Sequence, residues 1–379
     1  MNHWPIPQET QAKRWRLGIM LFAFALQWLV SWNQPSPDYY MMTDSSHYWS
    51  NATSFREKGR IADTYMPMGS SMCMAACQAI GLKEFDVVLW VHPALNALNC
   101  WFAFVIVSHF LRGWWPFLAA LWVACYPPQL NYARQLLSEP WFVTSLLALL
   151  TVMLRQGFRH SLLTGFLLGW CVLVRSQALG IWAIALLVLF LMGRPKSELA
   201  VILSVSVSVI VVGCLIASWS AGKPLFLTHQ SLMMTIYRSV PGGWEDIPEA
   251  QRHASYLAGL MNHPLDFLTQ RFWALVNMLS PWPLDTGRSW KVKFFLTVVD
   301  LPILATLVYA LVRLLRGFKL PREVWLLVIP LVGLTLFHTL FFAITRYRMP
   351  MMLPLIPFAV VIYALTRQLR EEVKVTTSC

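Results

Sequence analysis

Long apolar runs alternate with short polar intervals along the whole chain. Leu17 to Trp32, Val87 to Phe110, Trp114 to Cys125 and Trp141 to Leu154 form the first four runs. A single apolar stretch from Ser161 to Met192 follows, interrupted by Arg175, Ser176, Gln177 and Gly180. Ala200 to Trp219, Phe294 to Leu315, Val324 to Ile344 and Met351 to Leu365 complete the pattern. Apolar runs of this kind cross a hydrocarbon core about 30 Å thick as helices, because only a helix satisfies its own backbone in lipid. The interrupted stretch is long enough for two short helices meeting at the break, which gives about ten spans. The alternating ~10-residue segments of a membrane barrel are missing from the pattern. The fold predicted is therefore an all-α polytopic membrane protein, with 1–379 as one transmembrane domain.

Two intervals are too long to be simple connections. Residues 33–86 and 220–293 are polar, aromatic and amphipathic, and they predict helices lying along the membrane surface.

Composition agrees with this pattern: 57% of the 379 residues are hydrophobic and 13% are charged, outside the range of a soluble domain. The formal net charge is +12, but the basic residues sit in small groups at the ends of apolar runs, so nucleic acid is not expected as a partner. Lys13, Arg14 and Arg16 precede the first run; Arg112, Arg155, Arg159, Arg194, Lys196, Arg313, Arg316, Lys319, Arg322, Arg367 and Arg370 recur on the same predicted side. By the positive-inside rule both termini are cytoplasmic and both long intervals lie outside. The first run continues to Trp32 without a small-residue cleavage site and is read as a retained span. Four of the seven cysteines (Cys100, Cys125, Cys171 and Cys214) fall in the runs. Cys73 and Cys77 are spaced i,i+4 in a predicted helix, which favours packing over a disulfide, and no metal-ligand spacing accompanies them, so no metal or other cofactor is assigned.

Four arginines escape the orientation pattern. Arg134, Arg175, Arg346 and Arg348 lie at predicted outer ends of helices, where an ionisable group is a functional candidate. Arg346 and Arg348 flank Tyr347 just before Pro350, and paired guanidinium groups suit phosphate recognition; Arg175 is a candidate for the same role. In the first outer interval Asp44 opens TDSSHYWSNATSF, whose helical reading places Tyr48, Ala52 and Phe55 near one face. Asp44 suits a helix N-cap and equally a general base, with His47 and Tyr48 beside it. Asp38 and Asp63 are the competing carboxylates. Glu139 precedes Pro140 at a predicted helix start, where the macrodipole favours an acid, and with Arg134 it is assigned to the acceptor side.

A sugar carried on a lipid phosphate leaves as a stable anion, so one carboxylate base and a few cations suffice for its transfer. Paired carboxylates, as in glycoside hydrolysis, are not needed.

TDSSHYW after the first run and MPMGSSMCMAACQAIG after it resemble the first outer loop of GT-C glycosyltransferases, the superfamily of protein O-mannosyltransferases and the lipid A aminoarabinose transferase. YPPQLNYARQLLSEPWFVTSLLALL, GFLLGWCVLVRSQALGI, NHPLDFLTQRFWALVNMLSP and RYRMPMMLPLIP are similar in the same order. The resemblance implies a polyprenyl-phosphate sugar donor, inversion at the anomeric carbon and a catalytic aspartate that maps to Asp44. Relatives often follow that aspartate with a second acid; Ser45 stands here, so the resemblance gives no support to a bound divalent metal. The expected activity moves a sugar to a hydroxyl of a cell-envelope glycan, lipid or protein at the outer face of a bacterial inner membrane. Residues 220–293, with Gly242 and Gly243 in a turn and Arg271 on an amphipathic run, are expected to recognise the acceptor or cover the sugar. The alternatives are a flippase or transporter of lipid-linked glycans and a polysaccharide polymerase or ligase using a lipid-diphosphate donor.

Overall fold

The computed structural model describes residues 9–33, 36–41, 44–61, 66–222, 264–280, 289–317, 320–340 and 349–377. Among these the chain is helical throughout. Helix α1 (Glu9–Trp32) leads into the first long interval, which holds the short α2 (Pro37–Tyr40), then α3 (Ser45–Lys58), α4 (Met68–Ala79) and the turn α5 (Glu84–Asp86). A π-helical turn, Val87–Val91, runs into α6 (His92–Phe110). Then come α7 (Trp115–Ala124), α8 (Pro127–Tyr132), α9 (Glu139–Met153), α10 (Phe158–Val174), α11 (Ala178–Leu191) and α12 (Lys196–Ala221). The remainder is α13 (Pro264–Leu279), α14 (Trp290–Leu315), a 3-10 helix (Arg322–Val328), α15 (Ile329–Leu340) and α16 (Met349–Thr377).

Six of the described helices are long and apolar enough to cross a membrane: Lys13–Trp32, Glu84–Phe110, Lys196–Ala221, Trp290–Leu315, Arg322–Leu340 and Met349–Arg367. Four shorter apolar helices, α7, α9, α10 and α11, fall on the other four predicted spans. The break in the interrupted stretch lies where the charge pattern puts it: α10 stops at Val174, Arg175 is extended, and the helix resumes at Ala178.

Burial sorts the helices into a centre and a rim. The apolar window of α16 is 89% buried, whereas those of α12 and α14 are 17% buried and lie at the rim. Close crossings rest on glycine, since lipid supplies little drive between apolar helices and approach of the backbones must provide it. Gly165 and Gly169 form such a pair: a Cβ there would lie 2.8 Å from the Ile202 carbonyl oxygen and 2.7 Å from that of Ser206, which seats α10 on α12.

The first long interval carries its own small core. Tyr48 and Ala52 of α3 pack with Met74, Ala75 and Cys77 of α4, with Val87 and Val88, and with Leu136 ahead of α9. This is the face that the sequence pattern assigns to α3, with Phe55 at its edge. Gly59 ends α3 in the left-handed conformation, φ 62°, and its carbonyl accepts a 3.0 Å hydrogen bond from Ser220 at the end of α12. Cys73 and Cys77 are both free thiols.

At the opposite end of the bundle, Arg194 is an element of structure and not only an orientation signal. Its guanidinium donates to the carbonyls of Met153 and Arg155 at the end of α9 and pairs with Glu198 at 3.0 Å. Glu198 in turn accepts from the Gly157 amide (3.1 Å) and the Ser161 hydroxyl (3.2 Å) at the start of α10. A cation on the last carbonyls of one helix and an acid on the first amides of the next complement both helix ends.

Candidate functional site

The candidate site gathers where α3, α9 and α10 meet, at the end of the bundle that carries the helices of residues 33–86. Gly69, in the first turn of α4, sets the approach: a Cβ there would lie 2.7 Å from the Leu173 carbonyl carbon and 2.7 Å from the Val174 amide nitrogen. Only glycine lets α4 press on the last residues of α10. The next residue is Arg175, whose backbone amide donates to Cys171 at 2.9 Å and whose side chain turns to the start of α9.

There Arg175 Nη1 lies 3.0 Å from Glu139 Oε1, with 7% and 0% of the two side chains exposed. The same nitrogen donates to Ser138 Oγ at 3.2 Å, Tyr48 Oη donates to that oxygen at 3.2 Å, and Ser138 Oγ lies 3.5 Å from Glu139 Oε2. Ser138 thus accepts from Arg175 and Tyr48 and has its own hydroxyl proton directed at Glu139, which uses the hydroxyl fully. The guanidinium also stands 5.9 Å from the Phe142 ring centroid. A buried ion pair holds when further hydrogen bonds satisfy its remaining lone pairs and protons, and Ser138 and Tyr48 provide that support.

Tyr48 is 4% exposed and its hydroxyl pKa is pushed up to about 12. Burial is the main cause; Arg175 opposes it, while Glu139 and, more weakly, Asp44 reinforce it. The phenol is a neutral donor at any physiological pH.

Asp44 lies one helical turn before Tyr48, and its carbonyl accepts the Tyr48 amide at 3.1 Å. It occupies the N-cap position of α3 in helical conformation (φ −76°, ψ −8°), but its carboxylate makes no capping hydrogen bond. The capping role expected from its position is thus not taken up. Asp44 is half-buried, whereas His47 is exposed on the same helix.

Among the sequence-predicted residues, the structure gathers Tyr48, Glu139 and Arg175 around Ser138 and places Asp44 one turn from Tyr48. Arg134 follows α8, half-buried, with its amide donating to Asn131 at 3.3 Å. Asp38 is exposed in α2. Arg346, Arg348, Asp63, Gly242 and Gly243 lie outside the described residues. Arg271 is on α13 and donates to the Leu340 carbonyl at 3.0 Å, tying that amphipathic helix to the end of α15.

Two features escape sequence reasoning. Ser138 joins all three partners, and its only signal is its place beside Glu139 at a helix start. The second is a polar stripe on α6: His92, Asn96 and Asn99 are each 0% exposed within an apolar span. His92 Nδ1 lies 2.8 Å from the Ala133 carbonyl, which fixes the proton on that nitrogen and ties α6 to the segment preceding α9. Among the described residues, no three His, Cys, Asp or Glu side chains are grouped as a metal site requires.

Among the described residues the protein is helical, with six helices long and apolar enough to cross a membrane and a buried charged cluster at the end of the bundle that carries α3 and α4. The chain is similar to the crystal structure of the Archaeoglobus fulgidus oligosaccharyltransferase in the apo form, with a TM-score of 0.53 and 11% identity. The alignment covers 97% of this chain and 52% of that one, so the chain spans about half the length of this relative. At that identity the likeness is one of fold. No protein-family model and no curated protein matches the sequence.

Proposed function

We propose that the chain is a glycosyltransferase that moves one sugar from a polyprenyl-monophosphate donor to a hydroxyl of a cell-envelope glycan, lipid or protein. The reading places the reaction at the extracytoplasmic face of a bacterial inner membrane. The observation that carries it is the seating of α3, with Asp44 at its start, on the buried Arg175–Glu139 pair through Tyr48 and Ser138. A likeness in fold to an oligosaccharyltransferase supports glycosyl transfer in general terms.

In this mechanism Asp44 takes the proton of the acceptor hydroxyl as its oxygen attacks the anomeric carbon. The bond from that carbon to the phosphate oxygen breaks, and the electron pair leaves with the polyprenyl phosphate. Attack opposite the leaving group inverts the anomeric configuration. Arg346 and Arg348 hold the leaving phosphate, whose growing charge they offset. Arg175 already commits one guanidinium nitrogen to Glu139 and Ser138; it adds fixed positive charge to the site and holds α3 in place. Glu139 acts through Arg175, His47 and Arg134 are assigned to the acceptor side, and residues 220–293 recognise the acceptor.

The donor class is tested with purified protein in nanodiscs, offered polyprenyl-monophosphate and polyprenyl-diphosphate sugars with a mixture of envelope acceptors. Free polyprenyl phosphate appearing from monophosphate donors is the expected result. Turnover of diphosphate donors alone, or movement of a lipid-linked glycan across a proteoliposome membrane with no bond broken, would overturn it.

A further inference from the structure

Helices α11 and α15 touch backbone to backbone at one point. A Cβ on Gly180 would run into the Gly333 carbonyl oxygen, and one on Gly333 would lie 2.6 Å from Ile181 Cα. Helices crossing at so close a point separate on either side of it. Towards Leu191 the separation leaves a groove of about 530 Å³ between α11 and the run from Arg322 into α15.

Its walls are apolar, formed by Ile184, Leu187 and Leu191 on one side and Val328, Ile329 and Val332 on the other. Leu187, Leu191 and Val332 remain 51%, 69% and 42% exposed, so the groove opens towards lipid. Its far end is of different character. Arg322 and Trp325 line it there, both exposed, on successive turns of the 3-10 helix. Arg322 is the only charged side chain in the lining, and among the described residues it makes no ion pair. The neighbouring acid, Glu323, is not part of the lining, and Arg194, just past Met192, is committed to Glu198.

An apolar channel ending in a guanidinium and an indole has the polarity profile of one phospholipid: acyl chain, glycerol region, phosphate. Indole rings settle at headgroup depth, and a planar guanidinium binds phosphate oxygens in pairs. We propose that this groove is a binding site for an anionic phospholipid of the surrounding bilayer, with one acyl chain between α11 and α15 and the phosphate on Arg322. The site is separate from the candidate catalytic cluster. Arg175 precedes the start of α11, and the 14 residues of that helix put Arg322 on the order of 20 Å away, at its other end.

The test is native mass spectrometry of the purified, delipidated protein after exchange into phosphatidylglycerol, phosphatidylethanolamine or polyprenyl phosphate, with the unfolding midpoint measured for each. The expected result is one retained phosphatidylglycerol per chain with a raised midpoint. Arg322→Gln, a surface change that leaves the packing intact, weakens retention at least about tenfold, the loss of one charge-assisted contact. Leu187→Trp, which fills the groove from its exposed wall, abolishes retention while the midpoint without lipid stays near wild type. Equal retention of phosphatidylethanolamine, unchanged retention in Arg322→Gln, or displacement of phosphatidylglycerol by polyprenyl phosphate would overturn the proposal.

Discussion

Arg175 and Glu139 form an ion pair 3.0 Å long with 7% and 0% of their side chains exposed, between the break after α10 and the first turn of α9. Charges so deeply buried are held by each other, so removing one leaves the other unpaired. Glu139→Ala is therefore expected to destabilise the protein by about 3–5 kcal/mol. Thermal unfolding in detergent measures it. The double variant Glu139→Met with Arg175→Met should recover most of that stability without recovering transfer, since the pair also holds the helix that carries Asp44.

Tyr48 connects that pair to α3. Tyr48→Phe removes one hydrogen bond to Ser138 and is expected to cost about 1 kcal/mol. Its pH dependence follows from the raised pKa. The hydroxyl has a value of 10.0 when exposed and about 12 in the folded protein, so folding favours the neutral form. That contribution is fully present below pH 10 and is lost as pH rises towards 12. Unfolding midpoints measured across that window should fall more steeply for wild type than for Tyr48→Phe.

The glycine contacts make a separate prediction about packing. Gly180→Ala drives a methyl group into the Gly333 carbonyl oxygen, and Gly69→Ala places one 2.7 Å from the Leu173 and Val174 backbone. Both should destabilise by roughly 1–3 kcal/mol, because backbone cannot yield as a side-chain end does. Gly18→Ala meets nothing within 4 Å and should leave the unfolding midpoint unchanged or raise it slightly. Gly69→Ala should in addition lower transfer, since it displaces α4 from the residue next to Arg175.

The apolar helices were legible in the sequence because they follow from length and polarity along one dimension. The break at Arg175 and the buried face of Tyr48 and Ala52 follow from the same local rules. The pairings were not. Glu139 reads as an acid at a helix start, and Arg175 as a cation for phosphate; that they neutralise each other depends on how α9 and α10 pack, which no local pattern encodes. Ser138 carries no signal apart from its neighbour. Arg194 shares its composition with the other basic flanks, and only the folded chain shows it bound to the last carbonyls of α9. Asp44 shows the converse: an aspartate before a helix promises a cap, yet its carboxylate makes none.

The central claim is that Asp44 is the base of sugar transfer from a lipid monophosphate. It is tested most directly by the release of polyprenyl phosphate from a polyprenyl-monophosphate sugar, followed by mass spectrometry for wild type and Asp44→Asn at matched unfolding midpoints. Loss of release by at least about 100-fold in the variant is the predicted result. Release at the wild-type rate from a folded Asp44→Asn protein would contradict it and return the role of base to Glu139 or Asp63.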